Sequence, residues 1–462
     1  MSESFDEIRV AQDKPIAQRA LPKGLIDRLL RPVHRFLHVE ASSGIVLLFC
    51  TVSALILANS QLADAYHALW ELPVSVSIGS FKLAYPFRTL VINDALMTIF
   101  FFVVGLEIKR EIVSGELSDP RKAALPVLAA IGGMIVPALV YSVFQIGQPG
   151  LRGWAIPMAT DIAFVVGFLA LLGKGVPFGL KIFLLSLAIA DDLGAVLIIA
   201  LVFSDKLEGL WVWGATAGFF ITYLLNVIGV RRVGVYILVG AAIWLCFLKS
   251  GIHPTVAGVL LGLLTPVRAW VPDSTFSVWI EEFWNRTNKA GLTPERRVEE
   301  LARLQFIARE SVSPLQRLEN ALHPWVAFGI MPLFALANAG VKLDPDRISD
   351  SVAVAVAAGL VIGKPLGILL FCRIALKLKV AALPDGVNMP MLVGGSCLAG
   401  IGFTMSLFIN GLAFPGSEFA RFNEAGKIGT LMGSACSAAI GASILIVTLL
   451  KSRVSRTQHV EP

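Results

Sequence analysis

Residues 187–199 read LAIADDLGAVLII, and inside this apolar run Asp191 and Asp192 stand side by side. The run lies within a longer apolar stretch, 179–203, that is long enough to cross a bilayer. An ionised aspartate at the centre of a spanning helix costs roughly 2.5–3.5 kcal/mol. Asp191, Asp192 and Asp161, which lies in WAIPMATDIAFVVGF (154–168), would together cost about 8–10 kcal/mol, comparable with the net stability of many proteins. Asparagine or leucine would avoid that cost, so carboxylates that merely hold helices together are a poor explanation for the trio.

The rest of the chain sets the scene for this run. Of 462 residues, 56% are hydrophobic and 16% charged, against about 25% charged in ordinary globular domains. Apolar stretches of near-spanning length recur from about residue 43 to residue 450, which marks an all-α polytopic membrane protein. Twelve spans are expected, at 43–59, 90–108, 124–144, 154–172, 179–203, 210–228, 234–248, 252–265, 321–338, 353–375, 391–413 and 428–450. They form one membrane domain over 43–450, between a polar leader (1–42) and a short tail (451–462). The first apolar run is too long for a signal-peptide core, so no cleavable signal is expected.

With the N-terminus inside, inner segments together with the inner ends of spans carry 29 Lys/Arg and outer segments 9, with Lys364 deep inside a span. That asymmetry puts both termini in the cytoplasm. The net charge of +6 is spread over loops between spans, which argues for a bilayer partner and against nucleic acid. The five cysteines all fall in apolar segments without metal-ligand spacing and read as small core residues. No cofactor is expected.

Two loops stand out. Residues 74–85, VSVSIGSFKLAY, alternate around Gly79-Ser80 and predict a β-hairpin on the outer side. Two strands alone are marginal, so a partner surface is expected, with self-association as the candidate. Residues 266–317 form a polar cytoplasmic insertion. Within it TPERRVEELARLQFIARE (293–310) predicts a helix starting at Thr293-Pro294, solvated or lying on the membrane surface.

Other polar groups accompany the aspartates. Thr160 sits beside Asp161, and Pro157 removes a helical hydrogen bond four residues earlier. Lys364 lies in AAGLVIGKPLGILLF (357–371), where it can neutralise an aspartate. Asp94, in LVINDALMTIFFFVVGLE (90–107), lies nearer the outer end of its span and reads as a pathway or interface carboxylate. GGSCLAGIGFTMSLF (394–408) carries four glycines. Such glycines permit close packing, yet together with the Pro157 segment they point to two discontinuous helices. Half-helix N-termini favour anions and C-termini favour cations, which gives Asp161 and Lys364 roles in charge compensation.

Carboxylates are hard ligands that suit Na⁺ or H⁺, and no soft ligand set is present. A free aspartate titrates near pH 3.9. Proton exchange near neutrality therefore requires surroundings that disfavour the ionised form by roughly 4 kcal/mol, which burial and like charges can supply. A site holding either protons or a cation, with alternating access, performs antiport. If two protons leave for each Na⁺, exchange moves net charge and the membrane potential can drive it.

These segments closely resemble the NhaA-type sodium/proton antiporters. The resemblance rests on WAIPMATDIAFVVGFLALLG, LAIADDLGAVLIIAL, INDALMTIFFFVVGLEIKRE, RRVGVYILVG, LKSGIHPTVAG, LHPWVAFGIMPLFALANAGV, IGKPLGILLF and GIGFTMSLFI, in the family's order along the chain. It implies twelve spans with inverted-topology repeats and two crossing, broken helices, an arrangement already described for such transporters with this family as an example. It implies Na⁺ or Li⁺ exchange against H⁺ at Asp191 and Asp192, with Asp192 the principal carrier and Asp191 the partner of Lys364. Charge compensation falls to Asp161, Thr160 and Lys364. A pH-responsive cluster at the inner mouth is matched by Glu107, Lys109, Arg110 and Glu111; read alone, those residues describe a solvated helix end. His253, in SGIHPTVAG, is either pH-tuned or a satisfied helix-end histidine. The hairpin matches the family's homodimer contact, and the expected location is the bacterial inner membrane, in service of pH and sodium homeostasis. The long leader and the 266–317 insertion depart from the family's compact form.

Three other readings carry less weight. An exchanger preferring K⁺ or Ca²⁺ differs only in cavity size. An intramembrane aspartyl protease wants glycine before the aspartate, where this chain has Ala190, and a lipid phosphotransferase wants its carboxylates near the cytoplasmic face. A passive channel needs no titrating pair.

Overall fold

Apolar helices dominate the computed structural model, which describes residues 40–78, 81–204, 207–289 and 293–458. Large side chains such as Phe49, Leu201, Leu210 and Leu238 are exposed around its flank. In water such a surface would be untenable; in a bilayer it is the lipid-facing belt, and the chain is a multi-pass membrane protein.

Among the described residues, eight helices are long and apolar enough to cross a membrane, and three bent pairs raise the number to eleven. The twelfth expected span, 252–265, is the ten-residue helix Thr255–Leu264. It is short because Gly251, at φ 86°, ends the preceding helix and Pro254 sits just before its start. Two of the bent pairs are the discontinuous helices expected from sequence: Pro149–Met158 with Ile162–Leu171, bent 44°, and Met389–Leu398 with Phe403–Ala413, bent 46°. The third was not anticipated: after Ala58 the chain turns through 118° into Ala63–Trp70.

The helices meet closely where glycine lets backbones touch. A Cβ on Gly132 would lie 2.3 Å from the Gly367 carbonyl oxygen, and one on Gly367 would lie 2.1 Å from that of Gly132. This contact locks Pro120–Phe144 against Lys364–Lys377. Gly105 and Gly262 do the same for Met97–Ser114 and Thr255–Leu264. Three spans contain wide π-helical turns, at Arg88–Leu96, Val326–Ile330 and Gly359–Gly363, the last directly before Lys364. Such turns often mark functional sites.

The strands Pro73–Ile78 (β1) and Phe81–Pro86 (β2) pair antiparallel, with Val74 opposite Tyr85 and Val76 opposite Leu83. The expected turn at Gly79-Ser80 lies outside the described residues, as does most of the 1–42 leader. The insertion holds the expected helix, Pro294–Glu310, and a second one, Asp273–Lys289, that sequence reading did not pick out. The next helix already starts at Pro314, capped by Ser313, so its first residues fall within the expected loop.

Candidate functional site

The helix Phe178–Val202, the most enclosed of the eight unbroken spans, carries Asp191 and Asp192, and both side chains are almost fully enclosed. The two broken spans meet beside it. Where the first breaks, Asp161 is the N-cap of Ile162–Leu171, its Oδ1 accepting from Phe164 N–H at 3.3 Å. Its Oδ2 accepts from the Thr404 N–H at 3.1 Å and from the Thr404 hydroxyl, in the first turn of Phe403–Ala413. One carboxylate therefore caps two helix N-termini. The backbone joins the breaks as well, since the Asp161 N–H donates to the Ile401 carbonyl at 2.7 Å.

The opposing C-terminal ends are met by donors. The Thr160 hydroxyl donates to the Ala399 carbonyl, which closes Met389–Leu398, at 3.0 Å. Lys364 donates to the Met158 carbonyl, at the end of the other broken segment, and to Asp191 Oδ2 at 2.5 Å. Lys364 has no measurable exposure. Each helix end carries roughly half an elementary charge. Two N-termini thus face one carboxylate, while one C-terminus faces an ammonium and the other a hydroxyl. What remains is the aspartate pair: Oδ1 of Asp191 and Oδ1 of Asp192 are both buried without a hydrogen-bond partner. Charges within electrostatic reach of Asp192 include Asp191, Glu107, Asp161 and Lys364. Each of these buried oxygens has free lone pairs that can accept a proton or ligate a small hard cation.

A family model described as Na⁺/H⁺ antiporter 1 matches residues 34–445. The chain belongs to the Na⁺/H⁺ antiporter 1 family. It is 50% identical to a protein named Na(+)/H(+) antiporter NhaA from Rhodopirellula baltica over 432 residues, which cover 93% of this chain and 97% of the relative. It is 45% identical to a protein of the same name from Rhizobium meliloti over 439 residues, covering 94% and 98%. A solved sodium proton antiporter, MjNhaP1 from Methanocaldococcus jannaschii, aligns over 92% of this chain and 99% of its own at 14% identity, with a TM-score of only 0.40. The relatives are transporters and not enzymes.

On one side of the site this antiporter-family chain holds a cavity of about 1220 Å³, whose lining includes Asp64, His67, Asp94, His253, Asn338 and Lys427. Asp94 lies 3.6 Å from His253 Nε2, and His253 Nδ1 is 2.8 Å from the Thr255 hydroxyl. Asp94 is buried and His253 partly so, which makes His253 a partnered helix-end residue next to a carboxylate. Phe334 and Phe408 also line the cavity. Phe408 packs on Phe101, Phe334 and His253, with ring centroids 5.4, 6.2 and 5.4 Å away. Neither Asp191 nor Asp192 is among the lining residues. Phe408 joins this aromatic cluster to the broken span, since it sits one turn beyond Thr404 on the same half-helix.

At the other end of Met97–Ser114 lie Glu107, Lys109, Arg110 and Glu111. Arg110 pairs with Glu319 and lies 3.9 Å from Glu111. Lys109 donates to the Thr265 carbonyl at 2.6 Å, and Glu111 accepts the Glu116 N–H at 3.1 Å. Glu107 does not pair directly but faces the charges of Glu319, Arg110 and Glu111, while its own reaches Asp192. These residues form a packed network and not a solvated helix end.

Sequence reasoning missed Thr404, Glu319 and Phe408. For Thr404 a signal existed: a hydroxyl two residues after Gly402, in the first turn of a helix restarting after a glycine break, is placed to meet a buried anion.

Proposed function

We propose that the chain exchanges Na⁺ or Li⁺ for H⁺ by alternating access, with Asp191 and Asp192 as the exchanging groups. The observation that carries this reading is the pair of buried, unpartnered Oδ1 atoms on the helix that runs beside the two helix breaks. A proton or a dehydrated cation supplies the missing partner, and only one of them fits at a time. Asp192 is the principal carrier, because its neighbour already spends one oxygen on Lys364. Asp161, Thr160 and Lys364 hold the two broken spans together and keep the crossing neutral. Asp94 and His253 line the approach, and the Glu107–Glu111 stretch with Glu319 is the candidate pH-responsive end.

The remaining features follow the family resemblance. Release of more than one proton per cation makes exchange electrogenic, the fold is built from inverted repeats, and the β1–β2 hairpin joins two copies. The chain sits in the bacterial inner membrane with both termini in the cytoplasm and serves sodium and pH homeostasis. An intramembrane hydrolase gains no support, since the relatives at 45–50% identity are named Na(+)/H(+) antiporters. The test is transport in proteoliposomes. An imposed Na⁺ gradient should drive protons the opposite way, and Asp192→Asn should abolish this while the protein still folds. Full Na⁺-dependent proton movement in Asp192→Asn would refute the assignment.

A further inference from the structure

The insertion between Pro266 and Ser313 is built onto the membrane domain at one point. The neck is closed by the Leu315 N–H donating to the Pro266 carbonyl at 3.2 Å. The N–H groups of Trp270 and Val271 both donate to the Glu310 carbonyl at 3.1 Å, tying the start of the insertion to its end. Arg231 is held in this knot. Its guanidinium lies 3.6 Å above the Trp270 ring and 5.9 Å from Phe306, and 3.9 Å from Glu310 Oε2. Glu310 also pairs with Arg317 at 3.2 Å. Arg303, over the Trp279 ring at 4.2 Å, joins the two insertion helices to each other.

Arg231 belongs to the turn between Gly209–Ile228 and Val233–Ser250. These are the two least enclosed spans, with 11% and 17% of their apolar windows buried in protein, against 61% for the helix of Asp191. Their outer faces meet lipid. The insertion is therefore rooted at the rim of the protein, beside the bilayer.

Its helices present an apolar face suited to that place. Ile280 and Trp284, one turn apart on Asp273–Lys289, are exposed. Val298 and Leu301, again one turn apart on Pro294–Glu310, are exposed too. Arg297 precedes Leu301 by one turn and Arg309 lies three turns beyond Val298, so both flank that face. Three tryptophans fall within this one insertion, at 270, 279 and 284. Tryptophan favours the head-group layer, and a helix with an apolar face and flanking arginines lies along it, the arginine stems reaching up to phosphate.

We propose that the insertion hairpin lies in the head-group layer of the leaflet on its own side. Ile280, Trp284, Val298 and Leu301 dip toward the acyl chains, and Arg297 and Arg309 contact lipid phosphates. The Arg231 knot makes the hairpin a lipid-contacting arm fixed to the membrane domain. The inference stands whichever ion is carried.

The test uses the full-length protein with its native cysteines replaced, carrying Leu301→Cys labelled with an environment-sensitive fluorophore and shown still to transport. Glu299→Cys, on the opposite side of the same helix, is the control. In phosphatidylcholine vesicles containing phosphatidylglycerol, the label at 301 should be blue-shifted, quenched by head-group nitroxide lipids and shielded from iodide, while the label at 299 should remain open to iodide. Arg297→Gln with Arg309→Gln should reduce quenching by the nitroxide lipids. Equal iodide access at both positions overturns the proposal. So does shielding at 301 without quenching by the nitroxide lipids, because another protein segment or a second copy would then be covering the face.

Discussion

Asp161 and Thr404 are joined twice: one carboxylate oxygen accepts both the Thr404 backbone N–H, at 3.1 Å, and the Thr404 hydroxyl. The same side chain caps its own helix through Phe164. Two broken spans thus share one anion, and losing that charge leaves two helix N-termini facing each other. Asp161→Asn keeps the shape and removes the charge. It should cost about 1.5–3 kcal/mol, the range for hydrogen bonds to charged groups, and slow exchange sharply. Thr404→Val keeps the backbone bond and should cost less, about 1 kcal/mol. Thermal unfolding of the detergent-purified variants checks the order; equal stability of Asp161→Asn and the parent would contradict it.

Lys364 and Asp191 form an enclosed pair at 2.5 Å, and Lys364 also serves the Met158 carbonyl. Removing one member of a buried pair strands the other charge, at about 3–5 kcal/mol, whereas removing both strands none. Lys364→Ala should therefore destabilise more than Lys364→Ala combined with Asp191→Ala. A double-mutant cycle on denaturation midpoints reads this directly. Simple additivity of the two substitutions would show that the pair contributes no coupling.

Close glycine contacts make a different prediction. Gly132→Ala places a methyl 2.3 Å from a backbone oxygen that cannot turn aside, so the helices must separate. The expected loss is about 1–3 kcal/mol, with reduced yield of folded protein. Gly411→Ala, in Phe403–Ala413, has open space around its Cβ and should be neutral or slightly stabilising, by up to about 1 kcal/mol. Comparing the melting temperatures of the two variants tests whether the glycines act through contact or through backbone freedom.

Much of this was visible before any coordinates. Charges inside apolar runs are costly enough that Asp161, Asp191, Asp192 and Lys364 announce themselves, and Pro157 together with Gly400 and Gly402 marks both breaks. The alternation around Gly79-Ser80 gave the two strands. What stayed hidden depends on long-range partners. Thr404 lies 243 positions from Asp161, and nothing local says which anion it will meet. Nothing local marks Glu319, whose partner Arg110 comes from 209 positions away. Phe408 gains its meaning only from Phe101 and Phe334 on other spans. The helix Asp273–Lys289 was missed because its apolar positions are interrupted by Ser, Thr and Asn, and its partner Pro294–Glu310 supplies the contact that sequence periodicity cannot show.

The central claim is competition at one site, and Na⁺ binding to purified protein across pH tests it most directly. If each Na⁺ displaces one proton, apparent affinity should weaken about tenfold per pH unit as the solution is acidified below the titration range of the site, and about a hundredfold if it displaces two. Titration calorimetry in buffers of different ionisation enthalpy reads both the affinity and the protons released, and Asp192→Asn should show no Na⁺ heat. Sodium affinity that stays constant across pH, with no proton released on binding, would contradict the account.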